Sequence, residues 1–266
     1  HTMRRTTARI LVAAALFAGL VYLGRAGAAD VTDDEMKVIV EQDTKILTRG
    51  VGAVAKANEK AKKNVERNAA NGVKSSAMYL ATIANESITG KNADADAKAA
   101  AVRDAAVQLY KAGADKDFKA VGDAAKALKD VKPATGAKKI DLSKAFPEAT
   151  PKDAMHNFLK YDQYGMNGEA DIIAQGGKKK VVSMSPEQTV AIAHRVIAMH
   201  ELSKTISSAE GGAKKKEWDE FNDKMLKAGT DLLAAGRAKK TGPELSKAFQ
   251  AVDASCKACH NVFKNE

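Results

Sequence analysis

Thr241-Gly242-Pro243-Glu244-Leu245-Ser246-Lys247-Ala248-Phe249-Gln250-Ala251-Val252-Asp253-Ala254-Ser255-Cys256-Lys257-Ala258-Cys259-His260-Asn261-Val262-Phe263-Lys264 reads as one helix. A threonine and a proline open it, and no further glycine or proline interrupts the run to Lys264. Leu245, Phe249, Val252, Cys256, Cys259 and Phe263 recur at spacings of three and four, the period of one helical face. Three more segments upstream share this grammar. Thr150-Pro151-Lys152-Asp153 opens a helix carrying Met155, Phe158, Leu159, Met166, Ala170 and Ile173, stopped at Gly176-Gly177. Ser185-Pro186-Glu187-Gln188 is a capping box, followed by Val190, Ala193, Val196, Ile197, His200 and Ile206 up to Gly211-Gly212. A third runs over about Lys215–Ala235 with Trp218, Phe221, Met225, Leu226 and Leu232. Four such helices with short loops predict an antiparallel up-down-up-down bundle. No long apolar/polar alternation suggests a sheet, so the fold class is all-α.

Cys256, Cys259 and His260 spell C-x-x-C-H, the attachment signature of a c-type haem, and they include both cysteines of the chain. Two thiols three residues apart on one helical turn can each form a thioether with a porphyrin vinyl group. The histidine directly after them is then an axial ligand to the iron. A structural zinc site wants four ligands, and the chain has no second cysteine pair to supply them. A thioredoxin-like C-x-x-C belongs after a strand in a βαβ unit, and a disulfide between Cys256 and Cys259 fits a helix poorly. The expected cofactor is therefore one covalent haem c.

A c-type haem is attached outside the cytoplasm, and the first residues agree. Arg4, Arg5 and Arg9 precede an apolar run from Ile10 to Leu23, and Ala26-Gly27-Ala28 offers a cleavage site. The run falls short of the ~20 residues that a spanning helix needs. Residues 1–28 thus read as a Sec-type signal peptide, the location as periplasmic, and stable membrane insertion is not expected. Taking four arginines and no acid from the formal charge of +10 leaves +6. Lysine clusters at Lys178–Lys180 and Lys214–Lys216 read as solvated loops able to steer an acidic redox partner. No basic-aromatic pattern points to nucleic acid.

The first half resembles a worn copy of the second. Phe118–Val131 aligns without gaps on Phe249–Val262, and in that register Ala125, Leu128 and Lys129 replace Cys256, Cys259 and His260. Asp34, Met36, Ile39, Val40, Asp43 and Leu47 fall on Asp153, Met155, Phe158, Leu159, Asp162 and Met166. Beyond His1, every histidine (His156, His194, His200 and His260) lies in the second half. The expected organisation is a haem-less four-helix bundle over 29–132 with an apolar, alanine-filled interior, a linker over 133–149, and a haem-binding bundle over 150–266.

A C-terminal C-K-A-C-H on the fourth helix of such a bundle, with Phe263-Lys264 close behind, resembles the cytochrome c′ family, the class II c-type cytochromes. The resemblance covers about 150–266 at motif level and 31–132 as architecture alone. It implies Cys256 and Cys259 as thioether anchors, His260 as proximal ligand, and electron transfer or binding of NO and CO as function. The family is usually dimeric. Two tandem bundles depart from its common form, so both a homodimer and an intramolecular substitute for one fit the sequence.

Class II proteins divide by what faces the iron opposite the histidine. Height along the bundle axis, at 1.5 Å per residue, brings Met155 near the haem, with Phe158 and Leu159 one turn above and Met166 about 16 Å away. His200, Trp218 and Phe221 also fall near that level. Met155 as sixth ligand, an open or apolar-capped site, and His200 all remain in play. His156 and His194 read as surface residues. The expectation is a monohaem electron carrier serving periplasmic redox proteins, with five-coordinate binding of NO or CO as the alternative. No distal His/Arg pair suits an enzyme that cleaves O–O bonds.

Overall fold

The computed structural model describes residues 31–158, 172–174, 184–206 and 212–263, with the side chains of 157 and 158 excepted. The segment read as a signal peptide, the Lys178–Lys180 cluster, and Leu159, Met166 and Ala170 of the expected helix after Thr150 lie outside these residues. Every regular element among the described residues is helical. None of these helices is long and apolar enough to cross a membrane.

Helix α1 spans Asp33–Lys56 and starts at a capping box in which Thr32 and Glu35 exchange hydrogen bonds. Helix α2 (Glu59–Glu86), α3 (Ala93–Ala114) and α4 (Phe118–Ala127) are capped by the side chains of Asn58, Asn92 and Asp117. Each cap accepts from a backbone N–H that the first turn would otherwise leave unpaired. α1 packs on α2, α2 on α3, α3 on α4 and α4 back on α1, closing a ring around a common core. α4 stops after ten residues and tightens into a 3-10 turn over Leu128–Asp130. Ala125 and Leu128, which the sequence alignment sets against the two cysteines, are both buried in this core.

The segment expected to be a linker packs as a strap. Phe146 is buried and its ring meets that of Tyr110 at 4.8 Å. The Ile140 N–H donates to Asn85 Oδ1, Arg103 donates to the Lys138 carbonyl, and a one-turn helix α5 covers Leu142–Ala145. A second one-turn helix, α6 (Pro151–Ala154), follows the Thr150 cap and passes into a 3-10 turn over Met155–Phe158. The long helix expected there is thus a four-residue α-helical turn in its described portion, with residues 172–174 helical again.

Helices α7 (Pro186–Thr205), α8 (Lys215–Arg237) and α9 (Gly242–Phe263) complete the fold, α8 lying between its two neighbours. The Ser185 capping box opens α7 as its sequence indicates. Buried residues surround α7, as they do the second half of α2. A helix buried all round needs neighbours on more than one side. α7 packs on α8 and also on α1 and α2, so one apolar core runs from Ile39 through Leu80 and Leu109 to Ala198 and Leu202.

The interior of the first half is not wholly apolar, contrary to the sequence reading. Asp43 is 0% exposed, and it accepts from Arg195 Nη2 of α7 at 3.0 Å, where Arg195 is 2% exposed. His194, expected at the surface, is also 2% exposed. Its Nε2–H donates to Glu35 Oε2 at 3.2 Å, and Glu35 further accepts from Arg237 Nε and Nη2 at 2.7 and 2.8 Å. One carboxylate thus joins the cap of α1 to α7 and α8. Burial works to raise the Glu35 pKa, but the hydrogen bonds from Arg237 and His194 win and hold it far below the usual carboxylate range.

Candidate functional site

The buried face of α9 carries Leu245, Phe249, Val252 and Phe263, and the same face brings both cysteines toward α7 and α8. Between these helices and α6 lies a cavity enclosing about 870 Å³, open solvent at its mouth included. Cys256, Cys259 and His260 line one wall. Pro151 lines it from α6 and Met155 from the 3-10 turn that follows, with Val196, Met199 and Ser203 on α7 and Ile206 at its C-terminal cap. Trp218, Phe221, Asn222 and Met225 contribute from α8, and Ile173 adds an apolar contact.

The aromatic side is held by specific geometry. Trp218 and Phe263 meet edge to face at 5.1 Å and 85°, and Phe221 meets Phe263 at 6.0 Å and 86°. Trp218 Nε1–H donates to the Ser203 carbonyl at 3.3 Å, which ties α8 to α7 at the rim. Asp253, also on the lining, is paired with Lys257 one turn on.

Both cysteines are half-buried, and no disulfide joins them. Burial pushes the Cys256 thiol up to about 11 and raises that of Cys259 as well. A catalytic dithiol needs the opposite, a thiolate stabilised by nearby positive charge. His260 stands at the exposed end of the wall. No group of three or more His, Cys, Asp or Glu side chains among the described residues could hold a bare metal ion.

The sequence-predicted residues divide cleanly. Met155, Trp218 and Phe221 share the cavity with Cys256, Cys259 and His260. His200 is not on the lining: it is 6% exposed, and its Nδ1–H donates to the Asn222 carbonyl at 3.3 Å. His156, expected at the surface, is half-buried with its Nε2 lacking a hydrogen-bond partner, and burial lowers its pKa. The sequence reading missed Met199, Ser203 and Met225. Val196, Met199, Ser203 and Ile206 step by three, four and three, a stripe visible in the sequence once the all-round burial of α7 is known.

Two thiols and an imidazole border a cavity whose remaining walls are mostly apolar and aromatic, and the Met155 thioether reaches it from the turn after α6, a lining and donor set that would suit a covalently anchored porphyrin. The chain matches no family model, and no curated protein or solved structure is similar to it at a level that would show a relationship.

Proposed function

We propose that this chain is an exported monohaem c-type cytochrome that passes single electrons between periplasmic redox proteins. The observation that carries the reading is the convergence of Cys256, Cys259 and His260 on one apolar cavity. In this reading the two cysteines anchor the porphyrin through thioethers and His260 is the proximal ligand. When bound, the haem supplies a one-electron iron couple whose potential depends on axial ligation and burial. Trp218 and Phe221, backed by Phe263, would shield the bound group from water, and Met155 would be the candidate sixth ligand.

The resemblance to the cytochrome c′ family belongs to the same proposal. So does the organisation as two tandem four-helix bundles, the first a haem-less copy whose equivalent positions, Ala125 and Leu128, are filled with core. The export signal at 1–28 completes it. A second reading, five-coordinate binding of NO or CO, is favoured by the apolar side chains of Ile173, Val196 and Ile206 on the lining, since such groups cap an iron without ligating it.

Absorption spectra of the purified holoprotein, oxidised and reduced, with and without CO, test both. A sharp low-spin reduced α-band unaltered by CO supports electron transfer with Met155 ligated. A broad high-spin spectrum that shifts with CO moves gas binding to first place. Absence of covalent haem after expression with haem-maturation machinery, or its persistence in a Cys256→Ser/Cys259→Ser variant, overturns the proposal.

A further inference from the structure

We infer that α2, in the half without cysteines or internal histidines, positions the methionine side of the cavity through Lys74, Ser75 and Tyr79. The inference rests on the haem reading and concerns what sets the part of the lining formed by Met155 and Met199.

Met155 follows directly after α6, a helix of four residues. So short a helix has no stability of its own, because nucleation fixes several residues for a single hydrogen bond. Its place must come from contacts outside it, and α2 supplies them. Ser75 Oγ donates to the Ala154 carbonyl at 2.8 Å, with Ser75 and Ala154 both fully buried. Lys74 Nζ donates to Asp153 Oδ1 at 2.5 Å, in a pair whose side chains are only 20% and 17% exposed. The other Asp153 oxygen, Oδ2, accepts from the Thr150 N–H at 3.0 Å and the Thr150 hydroxyl at 2.8 Å. The carboxylate thus joins the cap of α6 to α2. Asp153 sits two residues before Met155, and Ala154 one.

The same face of α2 reaches the second cavity methionine one turn on. Tyr79 is fully buried and its hydroxyl donates to Met199 Sδ at 3.5 Å. That bond occupies the Met199 thioether and turns it toward α2. Met155, Met199 and Met225 all line the cavity, and of these α2 holds Met199 directly and Met155 through its neighbours Asp153 and Ala154. Lys74, Ser75 and Tyr79 lie at i, i+1 and i+5, so a single stretch of α2 governs both walls. They are positioning residues and touch no cofactor themselves. This gives the haem-less half a task in tuning the site.

The test uses the full-length holoprotein carrying Lys74→Met/Ser75→Ala, with Lys74→Arg as the conservative rescue and Asp43→Asn as a variant that weakens the core away from the cavity. Two readouts are taken: hydrogen exchange of the backbone amides over 151–158, and the spectrum with the CO association rate. Losing one buried and one charge-assisted bond should speed exchange over 151–158 by about tenfold. CO association should rise by a similar factor, roughly tenfold, as the turn loosens. Lys74→Arg should return both toward wild type, and Asp43→Asn should lower stability with the spectrum and CO rate unchanged. Wild-type exchange, spectrum and CO rate in Lys74→Met/Ser75→Ala would overturn the inference while leaving the haem reading intact. Equal spectral change in Asp43→Asn would overturn it too, by reducing the effect to general loosening. A wild-type protein without haem would instead sink the functional reading itself.

Discussion

Arg195 forms a buried ion pair across the fold with Asp43 of α1. Its partner Asp43 is inaccessible to water, so removing the guanidinium would leave a buried carboxylate without its countercharge. Such a loss costs about 3–5 kcal/mol, whereas replacing both partners by apolar groups is often close to neutral. Arg195→Met should therefore lower the urea midpoint strongly, and Asp43→Leu/Arg195→Met should recover most of it. A double variant as unstable as the single one would count against this account. Glu35 makes a pH-dependent contribution. Its folded pKa lies below the ordinary 4.5, because the bonds from Arg237 and His194 outweigh burial. The unfolded chain then binds the proton more readily, so this stabilisation is present above about pH 4.5 and drains away as pH falls through the folded pKa. Glu35→Gln should lose stability at pH 7 and show a flatter decline between about pH 5 and pH 2, measured as urea midpoints across pH.

At the scale of helices, two glycines should respond in opposite directions to the same change. A Cβ on Gly113 of α3 would lie 2.7 Å from Val73 Cγ1 on α2, and Val73 is β-branched and stiff within its helix. The helix-propensity gain of about 1 kcal/mol would be outweighed by overpacking of about 1–3 kcal/mol. A Cβ on Gly52 of α1 meets nothing within 4 Å. Gly113→Ala should lower the melting temperature and Gly52→Ala should raise it; a rise for both would mean that α3 can move away from α2. The caps that start these helices were legible in the sequence, since Ser185 with Gln188 and Thr150 with Asp153 form the boxes their spacing announces. Met155, Trp218 and Phe221 share the cavity with the cysteines, as residue counting suggested, whereas His200, counted to the same level, is turned to the Asn222 carbonyl instead. The full burial of α7 was not legible. The sequence reading put His194 at the surface, and contacts with Glu35 and Asp43, some 150 residues away in the chain, hold His194 and the neighbouring Arg195 in the interior. The strap over 133–149 was hidden for a similar reason. Proline and glycine suggested a tether, while Phe146 and the backbone at Ile140 find partners on α2 and α3 that no local pattern encodes.

Across the whole molecule, the two halves share an interior. The core that holds Ile39, Leu80 and Leu109 of the first half continues into Ala191, Ala198 and Leu202 of α7. Asp43–Arg195, Glu35 with His194 and Arg237, Ser75 with Ala154, and Tyr79 with Met199 all cross the same seam. Separating the halves would expose the α7 face that packs on α1 and α2 and would leave Asp43 and Arg195 without each other. Neither half is then expected to melt alone. Trp218, the one tryptophan of the chain, sits on α8 and reports the second half, whereas far-ultraviolet circular dichroism reports every helix. Urea unfolding followed by both probes should give coincident curves, and the calorimetric and van't Hoff enthalpies should agree. Two resolved transitions, with the fluorescence change confined to one of them, would show that the halves are independent bodies and that the bonds across the seam contribute little. Coincidence would give the first half a physical role before any partner is known: it completes the burial of α7, the helix on which Val196, Met199 and Ser203 face the cavity.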